Sequence, residues 1–86
     1  MILRFHKHFD KQFSKLKTRE KEKARERLSL FLENAFHPSL NNHPLKGKYL
    51  DYRSINITGD LRAVYKFLND QECIFVTIDT HRHLYD

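Results

Sequence analysis

Leu61-Arg62-Ala63-Val64-Tyr65-Lys66-Phe67-Leu68 runs into Asn69-Asp70-Gln71 and then into Glu72-Cys73-Ile74-Phe75-Val76-Thr77-Ile78-Asp79. The two outer runs are rich in β-branched and aromatic residues, and the three residues between them are a turn signal. They read as two strands of an antiparallel hairpin. Upstream, Tyr49 to Ile57 reads as a further strand with Ile55 and Ile57 on one face. Thr58-Gly59-Asp60 supplies the turn into Leu61. The second half of the chain is therefore a three-strand meander.

Working outward, the first half has helical periodicity. Ile2 to Phe5 is short and apolar and reads as a strand. Phe9, Phe13 and Leu16 then recur at i, i+4 and i+7, one face of a helix. Thr18 is the expected cap of a second helix, with Glu20 and Glu22 in its first turns, where the helix dipole favours acids. Ala24, Leu28, Phe31 and Ala35 form its apolar stripe, and Lys21, Lys23, Arg25 and Arg27 lie on its wet side. His37-Pro38 and Asn41-Asn42-His43-Pro44 stop it. The predicted order is β-α-α-β-β-β: an α+β fold in which two N-terminal helices pack on a mainly antiparallel four-stranded sheet. The other face of the sheet is left free, the natural place for a site.

Length and composition narrow the class. Eighty-six residues form one domain, residues 1–86, with a single small core. A site on so small a body is shallow, which argues against an enzyme that encloses a cofactor and a small substrate. The net charge of +5 favours anionic partners. That charge is uneven: residues 1–43 carry ten Lys/Arg against five Asp/Glu, whereas residues 44–86 carry six of each. The longest apolar run, Cys73 to Val76, is far too short to span a bilayer. The stretch Met1 to His6 lacks the apolar core of a signal peptide. One cysteine, Cys73, cannot form an internal disulfide, and its apolar surroundings predict a buried, inert thiol. These features predict a cytoplasmic protein without a membrane partner.

Three groups of residues invite a chemical reading. The basic run Lys15 to Arg27 is interleaved with Glu20, Glu22 and Glu26, so a solvated helix face or a general electrostatic footprint is favoured over a specific site. The six histidines include two i, i+2 pairs, His6/His8 and His81/His83, which a strand would place on one face. No Cys/His spacing matches a zinc framework, and no metal or cofactor is expected. The third group is His43, Lys46, Arg53, Asp60, Arg62, His81, Arg82 and Tyr85, all at ends or turns of the predicted sheet. Imidazoles, cations, a carboxylate and a phenol suit cleavage of RNA by its own 2′-hydroxyl: a base takes the hydroxyl proton, cations stabilise the extra phosphoryl charge, and an acid protonates the leaving 5′ oxygen. Composition alone supports equally an ordinary polar rim with pairs such as Asp60–Arg62.

The ordered series His43-Pro44-Leu45-Lys46-Gly47, Asp51-Tyr52-Arg53, Gly59-Asp60-Leu61-Arg62-Ala63-Val64-Tyr65-Lys66 and Thr80-His81-Arg82-His83-Leu84-Tyr85 resembles the RelE/ParE toxin superfamily. Within it the chain is most similar to the YafQ branch of RelE-type mRNA interferases. The similarity covers residues 43–86; the helical half agrees in layout and charge. The resemblance implies a microbial-RNase-like fold and a toxin of a type II toxin–antitoxin system. It implies a metal-independent endoribonuclease that cleaves mRNA in the ribosomal A site, leaving a 2′,3′-cyclic phosphate and a 5′-hydroxyl. It implies a cognate antitoxin, the ribosome and mRNA as partners, and no small-molecule cofactor.

By the same resemblance, His43 is the candidate general base and His81 the candidate general acid. Asp60 orients or assists, and Tyr85 stacks on a base or orients the 2′-hydroxyl. Lys46, Arg53 and Arg62 are the implied phosphate ligands; Arg82 reads equally as a phosphate ligand or a surface arginine. Two positions depart from the family pattern: Asn56 replaces a histidine and Leu61 a tryptophan. The runner-up is a ParE-like non-catalytic gyrase inhibitor, against which His43, His81 and Tyr85 argue; the two departures keep open a degenerate toxin that only binds its antitoxin or represses its operon.

Overall fold

The computed structural model describes residues 1–85. Strand β1 (Ile2–Phe5) leads into α1 (Lys7–Ser14) and α2 (Thr18–Glu33), followed by β2 (His43–Pro44), β3 (Arg53–Asn56), β4 (Leu61–Asn69), β5 (Glu72–Thr80) and α3 (His81–Tyr85). The sheet order is β1-β5-β4-β3-β2, antiparallel throughout except that β1 runs parallel to β5. The predicted meander, the N-terminal strand and the helical pair are all present.

The sheet has five strands, one more than expected. His43 and Pro44, read as part of a helix stop, pair with Ser54 and Arg53 as an outer strand. A proline lacks an N–H and is tolerated at a sheet edge. The strand predicted from Tyr49 begins only at Arg53. Residues Gly47–Tyr49 form a 3-10 turn instead, and Gly47 at φ +65 and Asp51 at φ +74 reverse the chain there. Both lie in the left-handed region, open to glycine and tolerated by aspartate. The histidine pairs also differ from expectation. His6 caps α1, its Nδ1 accepting from the His8 N–H at 3.0 Å, and His81 and His83 open α3 rather than extending β5. Thr18 is the first residue of α2 rather than its cap: the Lys17 N–H donates to the Glu20 carboxylate at 3.0 Å. The helix ends at Glu33, so Ala35 falls outside it.

The helices cover one face of the sheet. Phe31 and Phe9 reach Tyr65 and Phe75, with ring centroids 4.9 Å apart for Phe31–Tyr65, 5.3 Å for Phe31–Phe75 and 6.0 Å for Phe9–Phe75. Tyr65 and Phe75 are fully buried, as are Ala24, Ile55, Ala63 and Cys73. Each aromatic removes a large apolar area from water, and tilted contacts add to that burial. This layer is the main core.

The opposite face is only partly free. In β5, Phe75 pairs with Tyr65 but Thr77 pairs with Val64, so Val76 is an extra, bulged residue. A bulge bends the strand and re-aims its side chains. Val76 joins a second, smaller cluster built on Leu45, Val64 and Leu84 and flanked by Tyr49, Tyr52 and Tyr85. The short C-terminal helix α3 thus folds back onto this face instead of leaving it open. Among the described residues, no helix is long and apolar enough to cross a membrane.

Candidate active site

The small second cluster assembles the site. Leu45 stands between Pro44 and Lys46, and Leu84 between His83 and Tyr85. Both are buried with fully buried Val64 in one cluster. Burying these leucines draws the β2 segment carrying His43 and Lys46 toward the helix carrying His81, Arg82 and Tyr85. Lys46, Leu84 and Tyr85 line one cleft of about 380 Å³ between these segments. Ser54, cross-strand partner of His43, points to the same face as Val64.

The histidines are held differently. The His43 Nδ1 lies 2.7 Å from the Asn41 carbonyl. A carbonyl only accepts, so Nδ1 carries the proton and the Nε2 of the neutral ring keeps its lone pair. That tautomer suits a base. His81 is exposed and begins α3; its backbone N–H donates to the Asp60 carbonyl at 2.8 Å. Its ring packs edge-on against Tyr85, centroids 4.6 Å apart. The Tyr85 hydroxyl is buried and has no partner among the described residues. Three further buried polar atoms lack partners among the described residues: the Ser54 hydroxyl, the Asn56 amide oxygen and, on α2, the Arg27 Nε.

Asp60 is exposed at the β3–β4 turn that fastens His81. Arg62 does not pair with it. Its guanidinium folds over its own turn, donating to the carbonyls of Thr58 at 2.9 Å, Leu61 at 3.2 Å and Gly59 at 3.2 Å. A guanidinium has five N–H groups, so this anchoring leaves part of the fork available. Arg82 is exposed on α3.

Arg53 is the residue the structure does not bring to this group. It registers with Tyr65, so it points to the helix-covered face. Its Nε donates to the Asn42 side-chain oxygen at 2.7 Å, and its guanidinium lies 5.2 Å over the Phe36 ring. The Asn42 amide also donates to the Ala35 carbonyl at 2.8 Å and to the Tyr65 hydroxyl at 2.6 Å. One amide thus ties the α2–β2 connection to the main core immediately before His43. The expected phosphate role of Arg53 is corrected to this positioning role. The reason is the two-residue period of a strand, which puts Arg53 and Ser54 on opposite faces. Asn42 carried no local signal, because Asn-Asn-His-Pro reads as a chain stop.

The remaining shifted groups lie outside this cluster or at its margin. Burial pushes the Cys73 thiol up to about 11, in keeping with the inert thiol expected. Burial, with Tyr85, Asp79 and Tyr52 nearby, also raises the Tyr49 phenol above its ordinary value. Among the described residues no three His, Cys, Asp or Glu side chains converge as a metal would need. His83 instead pairs with Asp79 at 3.1 Å.

Two helices on one face of such a sheet are an arrangement shared with bacterial toxins. YafQ from E. coli strain BL21(DE3) superposes with a TM-score of 0.81 at 22% identity, covering 98% of this chain and 97% of that one. The YoeB/ParE toxin from Agrobacterium tumefaciens gives 0.79 at 22%, covering 94% and 99%. The E. coli DinJ–YafQ toxin–antitoxin complex gives 0.78 at 23%, covering 98% and 96%. At these identities the likeness establishes the fold. The family follows from the sequence model described as "Bacterial toxin of type II toxin-antitoxin system, YafQ", which matches residues 1–86. The chain belongs to the YafQ family of type II toxin–antitoxin toxins. No curated protein matches the sequence.

Proposed function

We propose that the protein is a ribosome-dependent mRNA endonuclease restrained by a cognate antitoxin. The observation that carries this reading is the Leu45–Val64–Leu84 cluster, which gathers the His43 and His81 segments on one face. The His43 Nε2 takes the proton from a 2′-hydroxyl, whose oxygen attacks the adjacent phosphorus. The His81 imidazolium gives its proton to the leaving 5′ oxygen, leaving a 2′,3′-cyclic phosphate and a 5′-hydroxyl. Lys46, Arg82 and the free part of the Arg62 fork bind the phosphate and its transition-state charge. Asp60 orients the base or substrate from the turn that holds His81, and the Tyr85 ring braces the His81 imidazole that faces the substrate. Every proton in this route moves between side chains and substrate.

An antitoxin partner is supported by family membership and by the complex of E. coli YafQ with DinJ. A body with a net charge of +5 suits docking on ribosomal RNA. Primer extension on a translated mRNA, with purified protein and with or without ribosomes, tests the reading. In-frame cuts that need ribosomes are expected. Cuts on naked RNA alone would replace it with a ribosome-independent nuclease. No cuts in either case would favour a binding-only toxin, next assayed on gyrase supercoiling.

A further inference from the structure

A second cleft lies farther along the same face and takes no part in the proton transfers above. Its volume is about 350 Å³, and His6, His8, Lys48, Tyr49, Tyr52 and Val76 are among its lining residues. That is nucleotide-scale, at the low end for ligand clefts of ~300–1,000 Å³. We infer that this cleft is a stacking subsite for single-stranded RNA flanking the scissile phosphate, with Tyr49 and Tyr52 as base platforms. The inference rests on the proposed nuclease reading.

Six observations support it. The Tyr49 and Tyr52 rings meet edge-on, centroids 6.0 Å apart, and both side chains are only half-buried. A lysine stands at each ring: the Lys48 Nζ is 5.3 Å from the Tyr49 centroid and the Lys66 Nζ is 5.1 Å from that of Tyr52. An aromatic face with an adjacent cation matches the alternation of base and phosphate in a single strand. His6 and His8, both exposed, line the same cleft.

Asp79, the acid whose charge bears on Tyr49, is already engaged by His83, by the Thr80 N–H and by Gln12, and exposed Asp51 beside Tyr52 does not line the cleft. The raised Tyr49 phenol stays neutral at physiological pH and does not repel phosphate. Finally, Tyr49 lines both this cleft and the one holding Lys46 and Tyr85. With the His81–Tyr85 contact, the aromatic track runs from the candidate acid to Tyr52 without leaving the face.

Single-stranded oligodeoxynucleotides test this directly, because without a 2′-hydroxyl they cannot be cut by the proposed route. The chain has four tyrosines and no tryptophan, so its intrinsic fluorescence is tyrosine emission. The wild-type protein is expected to show quenched emission and shifted Tyr49 and Tyr52 ring resonances on titration. Each of Tyr49→Leu and Tyr52→Leu is expected to weaken single-strand binding about tenfold, the lower part of the range for base–aromatic stacking. Tyr→Phe at either position is expected to bind within about twofold of wild type. Lys48→Gln and Lys66→Gln should each reduce the salt slope of binding by about 0.7. Duplex DNA of equal charge should be insensitive to the tyrosine changes, because its bases are already stacked.

Unmoved Tyr49 and Tyr52 resonances, or leucine variants that bind single strands as well as wild type, would overturn the subsite. So would an equal loss toward polyglutamate, which would mark a protein-docking face. Ribosome-dependent cleavage separates the two claims. Wild-type cutting with undiminished oligonucleotide binding by the leucine variants removes the subsite and keeps the nuclease. Tyrosine-dependent binding without wild-type cutting removes the nuclease and keeps the strand-binding cleft.

Discussion

The two faces of the sheet solve different problems with the same strands. The helix-covered face is closed: Phe9, Phe31, Tyr65 and Phe75 interlock, and the amide of Asn42 satisfies its polar edge. The other face has a minimal core of Leu45, Val64 and Leu84, ringed by histidines, cations and tyrosines. Among the described residues, buried polar atoms without partners lie on Ser54, Asn56 and Tyr85, and also on Arg27 of the covering helix α2. Buried polar groups are normally paired, and exceptions in a native protein mark water or function. One face is closed for stability, and the other carries the proposed recognition and chemistry.

The sharpest way to break this comparison is to exchange the readouts. His81→Ala is expected to reduce ribosome-dependent cleavage by ~10²–10⁴-fold, the usual contribution of a general acid. Its stability in urea should change by no more than about 0.5 kcal/mol, because the side chain is exposed. Phe75→Ala on the closed face should do the reverse, costing about 3–5 kcal/mol of folding stability through the cavity it leaves. A His81→Ala protein that unfolds early, or one that cuts normally, would erase the division.

A smaller effect sharpens the boundary between the faces. Arg53 lies on the closed side, so Arg53→Ala is expected to cost about 1–3 kcal/mol in urea unfolding through the broken bond to Asn42. Asn42→Ala should cost more, because it also loses the bonds to the Ala35 carbonyl and the Tyr65 hydroxyl, and the double variant should cost less than the sum of the singles. Arg53→Ala with unchanged stability but weaker substrate binding would return Arg53 to the phosphate-binding group.

The last effect is an alkaline pH dependence to which the closed face contributes through Cys73, alongside the raised phenols of Tyr65 and Tyr49. The Cys73 thiol ionises near 9 when unfolded but holds its proton to about 11 in the fold. The folded state then binds more protons than the unfolded one across that interval. Its contribution is complete below about 9 and is lost as pH rises toward about 11. Urea midpoints should fall over that window, and Cys73→Ala should flatten the fall. Native Cys73 should resist alkylation at pH 8, a direct check of its burial.

Much of the closed face was legible in the chain. Strand alternation in Leu61 to Asp79 and helical spacing from Phe9 to Phe31 depend on local geometry, which residue order expresses directly. The candidate site was legible as a set of chemical groups but not as an arrangement. Arg53 illustrates the limit. Its type and spacing fit a phosphate ligand, yet strand register turned it to the other face, where Asn42 and Phe36 hold it. His81 shows the same limit, since a strand ending before it would aim its ring differently from the helix that begins with it.

The sequence by itself determined the α+β class, the meander, the two helices, the basic charge and membership of a toxin family. The first four rest on periodicity, turn chemistry and composition, which are properties of neighbours along the chain; family membership rests on the likeness of the whole sequence to that family. Only the tertiary structure decided the fifth strand, the return of α3 onto the sheet and the separation of Arg53 from the histidine rim. It alone revealed the tyrosine cleft. Each of these depends on contacts between residues far apart in sequence, such as Leu45 with Leu84 and Asn42 with Tyr65. Burial of a few apolar side chains, not local preference, sets where those residues meet.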